Sequence, residues 1–139
     1  MSMNAICPIF VCEDVRRTLE FYVSILGFKY ANHLEDVEKF ATIYRDSIEI
    51  ILIEKVKGKI ETNSQKYGTG DDVYICPDTI ESVDDLYNEF RNRGVKIVQK
   101  PTLKAYGSYE FEIEDIDGRY IGIGRVKNRM KYFEKSDYE

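Results

Sequence analysis

The side chains best able to do chemistry gather in the last third of this sequence, where Tyr106, Glu110, Glu112 and Tyr120 fall close together. Alternation through 109–114 sends Phe111 and Ile113 to one face of a strand and leaves Glu110 and Glu112 on the other. Carboxylates beside phenol rings suit a neutral or cationic planar organic molecule. A cation stacked on an aromatic ring in a partly desolvated groove gains ~0.5–2 kcal/mol. No Lys or Arg is expected on that face, so an anion would bury uncompensated charge. Other reactive groups are sparse. The one histidine, His33, is distant in sequence from the rest and reads as a solvent or packing-edge residue. Cys7, Cys12 and Cys76 are odd in number and lie in apolar segments, which predicts reduced, mostly buried thiols rather than a disulfide framework. No nucleophile–base pair is visible, so no catalytic residue is assigned.

The elements that must position these groups occur twice. Residues 4–54 read as a strand, a helix ending at Gly27 and three more strands, and 72–126 repeat the order with a helix ending at Gly94. The two glycines are 67 positions apart. The first strand, 5–12, is apolar on both faces, as expected of a strand covered on both sides, with Pro8 at an edge or non-bonded position. Asp14 caps the first helix, whose buried face is Val15, Leu19, Tyr22, Val23 and Leu26. Strands follow at 28–33, 40–44 and 48–54, with a tight turn at Arg45-Asp46-Ser47. In the second copy Ser82-Val83-Asp84-Asp85 has the form of a helix cap. Strands at 95–99, 109–114 and 120–126 complete it, the last two joined by the hairpin turn Asp115-Ile116-Asp117-Gly118. The fold class is therefore α+β, with two tandem β-α-β-β-β modules forming curved mixed sheets around a cleft. One domain spans 1–139: module one at about 4–54, a linker loop at about 55–71, module two at about 72–126 and a surface tail at about 127–139.

Val11-Cys12-Glu13-Asp14, Phe21-Tyr22 and Leu26-Gly27-Phe28, together with Tyr106-Gly107, Glu110-Phe111 and Asp115-Ile116-Asp117-Gly118, resemble the signatures of the vicinal oxygen chelate superfamily. That group includes glyoxalase I, extradiol dioxygenases, fosfomycin-modifying thiol transferases and bleomycin-resistance proteins. The resemblance implies four metal-ligand positions: Cys7, Glu49, Asp71 or Asp72, and Gly122. A catalytic site for a divalent metal wants at least three well-placed donors, and Gly122 has no side chain. The resemblance therefore runs to the bleomycin-resistance branch, which is metal-free, binds its ligand in the cleft and works as a homodimer.

If Cys7 and Gly122 face the cleft, Ile9 and Val11 share the face of the first, and Tyr120 and Gly124 that of the second. The expected ligand-binding residues are Cys7, Glu49, Tyr106, Glu110, Glu112, Tyr120 and Gly122, with no metal and no cofactor. Gly122 and Gly124 either ease strand coiling or open space for a ligand. The expected function is sequestration of an antibiotic or binding of a metabolite. The alternative is a metal-dependent lyase, isomerase or thiol transferase using Glu49, Asp72 and Cys7. The net charge of −5 and the lack of a basic stripe argue against nucleic acid. No bilayer-length apolar run and no secretory signal are present, which points to the cytoplasm.

Overall fold

The computed structural model describes residues 1–31 and 39–133. His33, the far end of the strand expected at 28–33, and the tail beyond Phe133 lie outside the described residues. The chain divides into two compact units, Met1–Glu61 and Thr62–Glu139. Each is a four-stranded mixed sheet with a helix on one face, the α+β arrangement of two like modules.

In the first unit, β1 (Ile9–Cys12), β2 (Lys29–Tyr30), β3 (Phe40–Arg45) and β4 (Ile48–Glu54) stand in the order β1-β4-β3-β2, with β1 parallel to β4. Helix α1 (Val15–Ser24) begins at Asp14, whose carboxylate accepts the backbone N–H of Arg17 at 3.1 Å. Its buried side Val15, Thr18, Leu19 and Tyr22 recurs at helical spacing and packs on β2, β3 and β4. The Tyr22 ring meets Phe10 and Phe28. Pro8 has no N–H to give, and its carbonyl instead accepts from Ile51 at 3.0 Å. The two-residue turn between β3 and β4 holds Asp46 at φ 52°, a conformation aspartate tolerates better than most residues. Strand β1 is covered on one side only. Phe10 and Cys12 are buried, the Phe10 ring against Tyr22 of α1, whereas Ile9 is 58% and Val11 40% exposed, which departs from the two-sided cover expected from the double apolar pattern.

In the second unit, β5 (Val73–Ile75), β6 (Lys96–Leu103), β7 (Ser108–Glu114) and β8 (Tyr120–Val126) form the sheet β5-β8-β7-β6. Phe111, Ile113, Ile121 and Ile123 are buried under α3 (Ile80–Asn92), with Tyr87 and Phe90 edge-on to Phe111. Three local readings change. The cap of α3 is Thr79, which accepts from the backbone N–H of Ser82; Ser82 itself lies inside the first turn and donates to Asp78. The expected loop at 55–71 contains a short helix α2 (Asn63–Tyr67), closed by a Thr62–Gln65 capping box and by Gly68 at φ 73°. Five residues are too few to leave a helical period in the sequence. Strand β6 runs on past Gln99 through Pro101 to Leu103, which an edge strand with irregular register permits. The tail opens with a short helix, α4 (Arg129–Phe133).

Candidate functional site

The β7–β8 hairpin sets the site. Its register puts Glu110 opposite Gly124, Glu112 opposite Gly122 and Glu114 opposite Tyr120. With Phe111 and Ile113 buried on the helix side, these pairs share the other face. Parallel pairing of β5 with β8 then lays Tyr74 beside Gly122.

Both glycines are small because other side chains lie over them. A Cβ at Gly122 would collide with the Asp71 carboxyl and come within 2.8 Å of the Tyr74 ring. A Cβ at Gly124 would meet the Tyr74 hydroxyl at 2.6 Å and the Tyr109 carbonyl at 2.7 Å. The space above the two glycines is filled by the protein's own tyrosine and acid.

Hydrogen bonds then run in a fixed direction. Tyr74 donates its one hydroxyl proton to Glu110 Oε2 at 2.6 Å, so the 2.5 Å bond between Tyr74 and Ser108 must have Ser108 as donor. Tyr106 donates to the other Glu110 oxygen, Oε1. Burial, and then the bond to Glu110, push the Tyr74 hydroxyl well above its ordinary range, and the same two causes push Tyr106 up to about 12. Both phenols stay protonated at neutral pH and act as donors.

Beside them Asp71 and Glu112 form a second acidic pair. Burial first, then the hydrogen bond to Glu112 and the charges of Glu112 and Glu110, raise Asp71 from 3.8 to about 7, with Lys104 opposing. The influence of Lys104 corrects the expectation that no cation stands near this face, although its ammonium group is directed to Gln99 Oε1 at 2.6 Å. Among the described residues no donor reaches the buried oxygens Asp71 Oδ1 and Asp72 Oδ2.

The raised value makes a pH prediction. Between 3.8 and about 7 the folded chain holds a proton that the unfolded chain has released, so stability falls as pH rises through that window and is level above it. Asp71→Asn should match the parent near pH 4 and exceed it near pH 8 by ~1–2 kcal/mol. The full linkage value is discounted because the carboxyl is only partly buried. Urea melts at the two pH values check this, and parallel pH profiles for parent and variant would contradict it.

Cys7 and Glu49 lie in the first unit, where the thiol donates to Glu49 Oε2 at 3.5 Å. Desolvation and the Glu49 carboxylate raise the thiol above its ordinary range, which disfavours a thiolate nucleophile. Of the other cysteines, Cys12 is buried, but Cys76 is exposed, contrary to expectation, because it stands just past the end of β5.

Thus Tyr106 bonds Glu110, Glu112 adjoins Asp71 above Gly122, Tyr120 shares their face, and Cys7 and Glu49 pair with one another. Tyr74 and Ser108 were missed in the sequence. A signal for Tyr74 existed, since Cys7 advanced by the 67-residue repeat is Tyr74. Tyr74 and Asp71 both lie at Gly122, Tyr74 through strand pairing and Asp71 through its carboxyl.

The profile of the Glyoxalase/Bleomycin resistance protein/Dioxygenase superfamily matches residues 5–123. The chain belongs to this superfamily. Among solved structures it is similar to a glyoxalase/bleomycin resistance protein/dioxygenase from Alicyclobacillus acidocaldarius (TM-score 0.73, 18% identity, 93% of this chain and 96% of that one). It is also similar to a lactoylglutathione lyase from Agrobacterium tumefaciens (TM-score 0.66, 16% identity, 91% and 96%). A third is the hypothetical protein SA1046 from S. aureus (TM-score 0.59, 24% identity, 88% and 96%). These likenesses carry the fold. No curated protein matched the sequence.

The divalent metal used by some members of the superfamily does not fit these residues. Gly122 offers no donor and has its side-chain space filled, and a tyrosine stands beside it. Among the described residues no group of three His, Cys, Asp or Glu side chains could hold a metal ion. Nor is any helix among them long and apolar enough to cross a membrane.

Proposed function

We propose that this protein is a binding protein of the superfamily, taking a neutral or cationic planar organic molecule, an antibiotic or a metabolite, on the module-two face around Glu110. The observation that carries this reading is the filled space over Gly122: where metal-using members close their ligand set, this chain places a phenol ring and a carboxyl. On that face Lys96 is ion-paired with Glu114, which leaves Glu110, Glu112 and Asp71 to weigh against Lys104; this balance favours a cation and disfavours phosphorylated or polycarboxylate compounds. Tyr106, 57% exposed, supplies a ring for stacking.

A thermal-shift screen of antibiotics and metabolites tests it, since a ligand at 100 times its dissociation constant stabilises the fold by ~2.7 kcal/mol. Glu110→Gln should weaken the best cationic hit about tenfold and flatten its salt dependence, whereas Tyr106→Ala should weaken it at every salt concentration. An anionic best hit, or parental affinity in both variants, would refute the assignment.

The rival reading, a metal-dependent lyase, isomerase or thiol transferase, draws on the Cys7–Glu49 pair, two donors already side by side. Elemental analysis of desalted protein separates the two. The binding reading expects well under one equivalent of zinc, nickel, manganese or iron; a stoichiometric metal lost in Glu49→Ala favours the rival.

A homodimer belongs to the same proposal. The exposed apolar residues Ile9, Val11 and Phe40 on the first sheet support it, because a sheet face of this kind is seldom left uncovered. Light scattering at micromolar concentration should give about twice the 16.3 kDa chain mass. A mass equal to one chain would reject it.

A further inference from the structure

The two arms that hold Glu110 differ in kind. On one side Tyr74 is anchored. It lies on β5, its ring rests over Gly122, and its hydroxyl is bonded both to Glu110 and to Ser108, which is 3% exposed. On the other side Tyr106 stands on the turn between β6 and β7, with its hydroxyl on Glu110 Oε1. The backbone of that turn is fixed: Gly107 N–H donates to the Lys104 carbonyl at 2.9 Å, and the Gly107 carbonyl accepts from Lys127 N–H at 2.9 Å. The Tyr106 side chain can therefore leave Glu110 by rotating about its own bonds, with no change in the turn. Exposed rotamers exchange in picoseconds to nanoseconds.

We propose that Tyr106 is a built-in competitor for the ligand seat on Glu110: its hydroxyl occupies the oxygen to which an organic cation bearing N–H groups donates, and entry of that cation exchanges one donor for the other. The proposal rests on the binding reading given above and adds to it the chemical class of the ligand. The cation carries an N–H donor, as an amidinium or protonated amine does, and is not a quaternary ammonium. Tyr74, itself held by Ser108, keeps Oε2 satisfied throughout, so the carboxylate stays aimed while only Oε1 changes partner. The displaced phenol ring remains beside the seat, free to stack on the newcomer. This separates the two parts of the residue. The ring helps binding, and the hydroxyl opposes it.

Two probes and two variants test this. Benzamidinium is a planar aromatic cation with N–H donors; benzyltrimethylammonium is an aromatic cation with none. NMR shift titrations of the parent, Tyr106→Phe and Glu110→Gln with each probe give the affinities. Tyr106→Phe keeps the ring, removes the competing hydroxyl and alters an exposed position. It should bind benzamidinium about fivefold more tightly than the parent (~1 kcal/mol), with benzyltrimethylammonium changed by less than about twofold. Benzamidinium binding seen in Tyr106→Phe but not in the parent supports the proposal equally. If both probes bind the parent and are weakened by Glu110→Gln, yet Tyr106→Phe gives no selective gain for benzamidinium, the competitor role is wrong and the cation-binding face stands. If neither probe binds any of the three proteins, both ideas are overturned.

Discussion

Arg119→Ala should lower the unfolding free energy by about 3–5 kcal/mol, the range seen when one partner of a buried ion pair is removed. The Arg119 guanidinium is 3.1 Å from Asp115 Oδ2 and 2.9 Å from Asp117 Oδ2, and all three side chains are 5% exposed or less. Asp115 Oδ1 is meanwhile occupied by the backbone N–H groups of Asp117 and Arg119. Removing the guanidinium takes the ion pair from two carboxylates that folding has already taken out of water. The part of their desolvation that the pair offset is then uncompensated. The effect should extend to the site, because this hairpin fixes the register that faces Glu112 with Gly122 and Glu110 with Gly124. Urea unfolding of parent and variant measures it, with the slope m compared to confirm that the same surface is exposed. A loss below about 1 kcal/mol would mean that the charges are solvated, contrary to their burial.

Gly122→Glu is the second large effect. It restores the carboxylate at the position that the family resemblance assigns to a metal ligand, and a chain that had merely lost that ligand would accept it back. Here the new Cβ would collide with the Asp71 carboxyl and approach Tyr74 Cδ2 to 2.8 Å, and the new charge would join Asp71 and Glu112. Overpacking alone costs ~1–3 kcal/mol, and the like charges add to it. A total of about 3 kcal/mol should lower the melting temperature by roughly 10 °C. The variant should still bind no stoichiometric zinc or manganese. A stable Gly122→Glu protein that takes up one metal ion would show that Tyr74 and Asp71 move aside easily, and would revive the lyase or isomerase reading.

Much of the fold was legible before any coordinates. The first helix with its cap Asp14, the strands 48–54 and 120–126 and the hairpin at Asp115-Ile116-Asp117-Gly118 rest on periodicity and turn chemistry, which are local properties of the chain, whereas the helix stops at Ser24, short of the expected Gly27. Local rules also separated Phe111 and Ile113 from Glu110 and Glu112, because alternation along a strand needs no knowledge of its neighbours. Errors came where short signals compete. Thr79 and Ser82 both have cap chemistry, and the first turn starts at whichever lets Val83 and Phe90 reach the core.

The sequence by itself determined the two modules, the family and the composition of the acidic, tyrosine-bearing face. Only the tertiary structure decided what covers that face. Tyr74 reaches Gly122, Gly124, Ser108 and Glu110 because β5 pairs with β8 rather than with a sequence neighbour, bringing together groups 34 and 36 positions apart. Asp71 acquires its raised pKa from the same pairing, through burial and the approach of Glu112 on β7. A glycine in a strand reads alike whether it makes room for a ligand, a bend or a neighbouring ring. What lies over it is a property of strand order, and strand order is set by long-range pairing that no local window contains.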